Sequence, residues 1–170
     1  MIRRRVPAAV VVSLLAILPT AGCYQGFNST VNDQGPSGNG TDVTVPPEVG
    51  TIKVQNATLV ADPADPTVAG LIMTIINEGD SDDSLLSAEL ASGGAGATEG
   101  PVVVPAGRSV KVGGPDGQSA IAFTGLTVPT GSYAGITLTF RSAGSAVATV
   151  LVVPGVGYYA DYKPTVDTQE

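Results

Sequence analysis

Gly135-Ile136-Thr137-Leu138-Thr139-Phe140-Arg141 alternates without a break: Ile136, Leu138 and Phe140 are apolar, and Thr137, Thr139 and Arg141 are polar. A period of two is that of a strand with one face on a core and the other in water. On a helix, with 3.6 residues per turn, the same spacing would scatter the apolar groups around the axis. Working outward, Pro129-Thr130-Gly131 breaks the chain on one side. On the other, Ala146–Val153 supplies a second strand rich in valine.

The rest of this region has the same character. Ile52 and Val54 alternate with Lys53 and Gln55, and the phase then shifts to Ala57 and Leu59. That shift predicts a β-bulge near Asn56. Leu71–Ile76 is an apolar run, interrupted only by Thr74, between Gly70 and Asn77-Glu78-Gly79-Asp80. Periodicity alone fits buried strand or buried helix, and the short length and turn-rich flanks select strand. Further strands are expected at Ser84–Leu90, Val102–Val104, Ser109–Val112 and Ser119–Thr124. Pro105-Ala106-Gly107 suits a tight turn with Pro second and Gly fourth, and Gly113-Gly114-Pro115-Asp116-Gly117 is another breaker. No stretch carries a helical stripe. Seven or eight short strands within about 110 residues predict an all-β fold, a Greek-key β-sandwich of cupredoxin or immunoglobulin type.

The ends differ from this domain. Arg3, Arg4 and Arg5 precede an apolar segment, Val6–Leu18. The segment is shorter than the roughly 20 residues that span a bilayer and has the length of a signal-peptide core. Thr20-Ala21-Gly22-Cys23 then resembles the lipobox of bacterial lipoproteins, although Thr20 stands where that family usually has leucine. The resemblance implies a signal peptide over residues 1–22 and lipidation of Cys23. It also implies a cell-membrane location, anchored by lipid at the extracytoplasmic face. The other reading is an ordinary secretory signal that leaves Cys23, the sole cysteine, as a free thiol. From Tyr24 to Pro47 the chain is dominated by Gly, Ser, Asn, Thr and Pro, so residues 23–48 read as the lipidated cysteine and a flexible linker. The sandwich is assigned to residues 49–160 and a polar tail to residues 161–170.

Loss of the signal would remove three of the eight basic residues and none of the 15 acidic ones, leaving five against 15, a net charge of −10. Such a surface repels nucleic acid and anionic headgroups. Attachment to the membrane therefore falls to lipid on Cys23, and the remaining partner class is an envelope protein. With one cysteine there is no internal disulfide, so stability rests on the apolar core.

Several pieces of the domain, in order, resemble the periplasmic copper chaperones of the PCu(A)C family. They are Leu71–Asp80 with its Asn-x-Gly-Asp turn, Asp82-Asp83-Ser84-Leu85-Leu86, Val104-Pro105-Ala106-Gly107, Phe123-Thr124-Gly125-Leu126, and Ile136–Gly144 with its Phe-x-x-Ala-Gly ending. The resemblance covers about two thirds of the mature chain and implies the same sandwich. It also implies a Cu(I) site of two histidines and two methionines, two of them in a His-x-Met motif ahead of the Gly-Leu turn. Residues two apart on a strand share a face, and soft thioether and imidazole donors suit Cu(I).

Counted back from Gly125-Leu126, the motif falls on Ala120 and Ala122. The other pair falls in Ala91–Gly100, which holds neither residue type, and the chain has no histidine. Met73 is the only methionine after Met1 and reads as core. The expectation is therefore a non-enzymatic binding or envelope protein with no metal site, no cofactor and no copper. The alternative is a copper-homeostasis protein using non-standard ligands. Catalysis is disfavoured because the commonest general base is absent. Asp80, Asp82 and Asp83 read as a solvated turn rather than a calcium loop. Tyr158, Tyr159 and Tyr162 read equally as an interface anchor or as a cap on the open end of the sandwich.

Overall fold

The computed structural model describes residues 40–45, 52–98, 100–117, 119–162 and 164. The signal segment, Cys23 and the linker up to residue 39 lie outside them. Ten strands follow one another within the described residues: β1 (Thr41–Val45), β2 (Ile52–Ala61), β3 (Ala69–Asn77), β4 (Asp83–Leu90), β5 (Gly96–Ala97), β6 (Val102–Val104), β7 (Ser109–Val112), β8 (Ala122–Phe123), β9 (Tyr133–Phe140) and β10 (Gly144–Pro154). A 3₁₀ helix, Gly157–Tyr162, comes last.

The alternating segment forms most of β9, and a tight reversal pairs it with β10 from Phe140↔Gly144 to Tyr133↔Leu151. Gly144 turns the chain at φ 85°, a conformation that glycine adopts without the Cβ clash of other residues. Ile136 and Leu138 are fully buried and Phe140 nearly so. Removing such side chains from water contributes about 1.5–3 kcal/mol each. On β10 the inward positions are Ala146, Ala148, Val150 and Val152. On that face Ala146 and Ala148 pair with the larger Leu138 and Ile136, and Val150 with the smaller Ala134.

The Greek-key sandwich is realised as one sheet curled on itself, in the order β5-β8-β3-β2-β10-β9-β4-β6, with β1 on β2 and β7 on β3. A bridge between Glu89 and Ala95 brings β4 against the approach to β5, so the curl closes. Its inner faces enclose one core that includes Leu59, Leu71, Ile75, Phe123, Ile136 and Leu138. The parallel β2–β10 pair, Leu151↔Thr58 to Pro154↔Ala61, joins the two halves of the curl.

The bulge expected near Asn56 is present: the β2–β3 register shifts between Gln55 and Thr58, and Asn56 has φ 56°. The bulge also divides β2. Its first half pairs with β1 and its second half with β10.

Four expectations need correction. The linker assigned to residues 23–48 ends in strand β1, since Val43 and Val45 alternate inward and fill the stretch of β2 that β10 leaves unpaired. The strand expected over Ser119–Thr124 narrows to Ala122–Phe123. Ser119 O accepts from Gly113 N and Ile121 O from Leu71 N, so the segment bonds to several partners instead of one ladder. The turn at Pro105 is displaced by one residue: Arg108 N donates to Pro105 O at 3.1 Å, and Gly107, third rather than fourth, takes φ 64°. The first two residues of the tail assigned to 161–170 belong to the 3₁₀ helix, Gly157–Tyr162, and a Cβ on Gly70 would lie 3.4 Å from Pro164; residues 163 and 165–170 lie outside the described ones.

Candidate functional site

The two segments to which the family resemblance assigns metal ligands do meet. β5 pairs with β8, Gly96↔Phe123 and Ala97↔Ala122, and β8 pairs in turn with β3, Ala69↔Phe123 and Gly70↔Ala122. The approach to β5 is drawn tight. Leu90 N donates to Gly94 O at 2.6 Å and Gly93 N to Leu90 O at 2.9 Å. Glycine is required at this approach: a Cβ on Gly94 would stand 2.7 Å from Thr124 O, and one on Gly96 2.7 Å from Ile121 Cγ2 and 2.9 Å from Phe123 Cε1.

What converges there is backbone, methyl groups and a phenyl ring. Ala122 is buried and Ala120 is exposed, and neither offers a lone pair. Met73 is buried at 4% exposure. It stands three residues along β3 from Gly70, a rise of about 10 Å, and pairs with Val112. Among the described residues no three His, Cys, Asp or Glu side chains are grouped to hold a metal ion. The residues present do not fit a soft Cu(I) site.

The acidic turn is built for structure. Asn77 is buried; its Nδ2 donates to Ser81 O at 2.8 Å and Val104 O at 3.0 Å, and its Oδ1 accepts from Gly79 N at 2.9 Å. Asp82 accepts from Ala106 N at 2.9 Å. Asp83 departs from the expected solvated turn: it is 5% exposed. Its Oδ1 accepts from Ser84 N at 2.7 Å and Ser142 N at 2.9 Å, and its Oδ2 from Ala143 N at 2.9 Å. The carboxylates diverge to separate backbone donors, which is why they form no cation cage. Asp83, at the start of β4, satisfies N–H groups that the β9–β10 reversal leaves without ladder partners.

The tyrosines of the 3₁₀ helix form the other candidate. Tyr158 and Tyr159 meet edge to face at 5.1 Å, Tyr159 and Tyr162 at 5.8 Å, and Tyr158 stacks on Tyr162 at 5.8 Å. A Cβ on Gly114 would lie 2.6 Å from the Tyr162 ring, so the missing side chain there is what lets the ring seat. The Tyr162 phenol is pushed above its ordinary value, first by the neighbouring Tyr158 phenol, then by desolvation and nearby negative charge including that of Asp116.

The cluster lies beside a cavity of about 300 Å³ walled by β2, β3 and β7 residues, among them Thr58, Ile72, Thr74 and Lys111. Thus the tyrosines line the side of the sheet. The sequence signalled the aromatics, but the cavity needed β2, β3 and β7 side by side, and Asn56, Thr74 and Lys111 carried no motif.

No family model matches the chain, and no curated protein matches it. Solved structures do. A copper-bound PCuAC domain from PmoF2 is similar at 24% identity and TM-score 0.58, over 67% of this chain and 98% of that one. An apo PCuAC domain from PmoF1 gives 22% and 0.57, over 67% and 99%. The apo PmoF2 PCuAC domain gives 24% and 0.54, over 65% and 96%. The chain therefore carries the fold of PCuAC domains.

Proposed function

We propose that this chain is a membrane-anchored extracytoplasmic lipoprotein whose PCuAC-like sandwich has a non-enzymatic binding role in the cell envelope, without a copper site. The observation that carries this reading is the β5–β8 contact, where Gly96, Ala97, Ala122 and Phe123 stand. Hydrogen, methyl and phenyl groups cannot donate a lone pair to Cu(I), and soft sulfur or imidazole donors are what that ion selects. The export reading of residues 1–22 and the isolated position of Cys23 support an anchor outside the cytoplasm. An acidic surface cannot hold an anionic membrane by charge, so lipid is the means of attachment. A chain without histidine lacks the commonest general base.

The test is a competition titration of the purified chain for Cu(I) against a chromogenic chelator. The expected outcome is that the chelator keeps its copper. Stoichiometric withdrawal of one copper per chain would overturn this reading in favour of copper handling through other ligands. Met73→Leu and Asp82→Asn would then locate the site.

A further inference from the structure

The tyrosine cluster and its cavity share only the buried Met73 with the argument about copper, and their chemistry points to a ligand of its own. The cavity, about 300 Å³, is at the lower end of the range for small-molecule pockets, roughly 300–1,000 Å³. Its lining excludes several classes. It contains no carboxylate, so a metal ion finds no ligand set in the lining. It offers one cation, Lys111, whose ammonium is only loosely engaged by Asp116 at 3.9 Å with both side chains largely exposed. One lysine is too little for a polyphosphate. The rim holds Asn56 and Thr74, and a purely aliphatic ligand would strip those groups of water without replacing it.

The rings narrow the choice further. Centroids 5.1–5.8 Å apart pack the tyrosines against one another as a platform, with no slot between them for a flat aromatic molecule to enter. Tyr158 is 77% exposed, so most of its surface is available to a molecule with one apolar face and hydroxyls around its edge.

We propose that this cavity binds a sugar residue, stacked through its C–H face on the tyrosine platform and hydrogen-bonded at the rim by Asn56, Thr74 and Lys111. The phenol hydroxyls and rim groups meet the sugar hydroxyls, while the ring carbons meet its apolar face, as amphipathic tyrosine does at other interfaces. The inference names a ligand class for the envelope-binding role and rests on that reading.

Saturation-transfer NMR on the purified full chain tests it, with N,N′-diacetylchitobiose and glucuronic acid as probes. The expected result is saturable transfer to the ring protons of one or both sugars. Tyr158→Ala should weaken it about tenfold, equivalent to about 1.4 kcal/mol, whereas Tyr158→Phe, which keeps the ring, should retain it. Tyr158 is exposed, so the thermal melt of the alanine variant should match that of the parent. Absence of transfer to both sugars, or transfer indifferent to Tyr158→Ala, overturns the site. The copper titration remains the separate test of the proposed function.

Discussion

At Asp83 a single carboxylate holds the start of β4 to the β9–β10 reversal through three backbone N–H groups, two of them 59 and 60 residues away in sequence. An amide in its place keeps one acceptor oxygen and turns an NH₂ toward another N–H. Hydrogen bonds to charged groups contribute about 1.5–3 kcal/mol, and a buried donor left unpaired costs about 1–3. Asp83→Asn should therefore destabilise the domain by about 2 kcal/mol, read as a lower urea midpoint. Asp80→Asn, at an exposed position, should leave the midpoint unchanged. Equal midpoints for the two variants would show that the buried contacts carry no net stability. The Asn-x-Gly-Asp turn was legible as a turn from residue types alone. Asp83 read as one more solvated acid because its donors are remote in sequence, and no local pattern predicts which remote N–H groups a fold will leave open.

Two elements show how local chemistry and tertiary placement combine. The bulge at Asn56 was readable because the inward phase of β2 changes there. It places a non-glycine residue at φ 56°, and Asp42 Oδ1 on β1 accepts its N–H at 2.9 Å. Asparagine tolerates this region better than residues branched at Cβ. Asn56→Val should cost at least 1–2 kcal/mol, on the order of the left-handed penalty, whereas Asn56→Gly should be nearly neutral; paired thermal melts separate the two. In the C-terminal 3₁₀ helix, Tyr162 has a phenol pKa raised above 10.0. Its proton is held more tightly in the docked state than in the unfolded chain. Its contribution is full below the ordinary phenol range and is lost as pH rises through the raised value. The segment should thus loosen on the alkaline side, seen as faster amide exchange at Tyr159–Tyr162 relative to β9, normalised for the intrinsic pH dependence. Unaltered relative protection across that range would count against the Tyr158–Tyr162 contact. The helix escaped sequence reading because six residues are too few to show a period, and their seat is supplied by Gly114, far away in the chain.

On the scale of the whole molecule, the sandwich and the proposed lipid anchor can be tested separately. Cys23→Ser should release the protein from the membrane fraction into the soluble extracytoplasmic fraction, leaving the thermal melt of the domain unchanged. Undiminished membrane retention would refute the lipid anchor. The sheet order runs between strands distant in sequence, β3 with β8 and β2 with β10. This closure brings β5 against β8, Ala97 beside Ala122, within the two places where the resemblance assigns metal ligands. From residue identity alone followed the all-β class, the period-two strands, the bulge and the absence of histidine. These are local or compositional, set by which side chains can alternate between water and core and by which donors exist at all. Only the tertiary structure decided that β1 completes the edge of β2, that Asp83 is a buried clasp, and that tyrosines from the chain's end share a cavity with Thr74 and Lys111. Those outcomes depend on which segments the curl of the sheet brings together. Contacts between distant residues arise from burying one common core, and no short window of sequence contains that core.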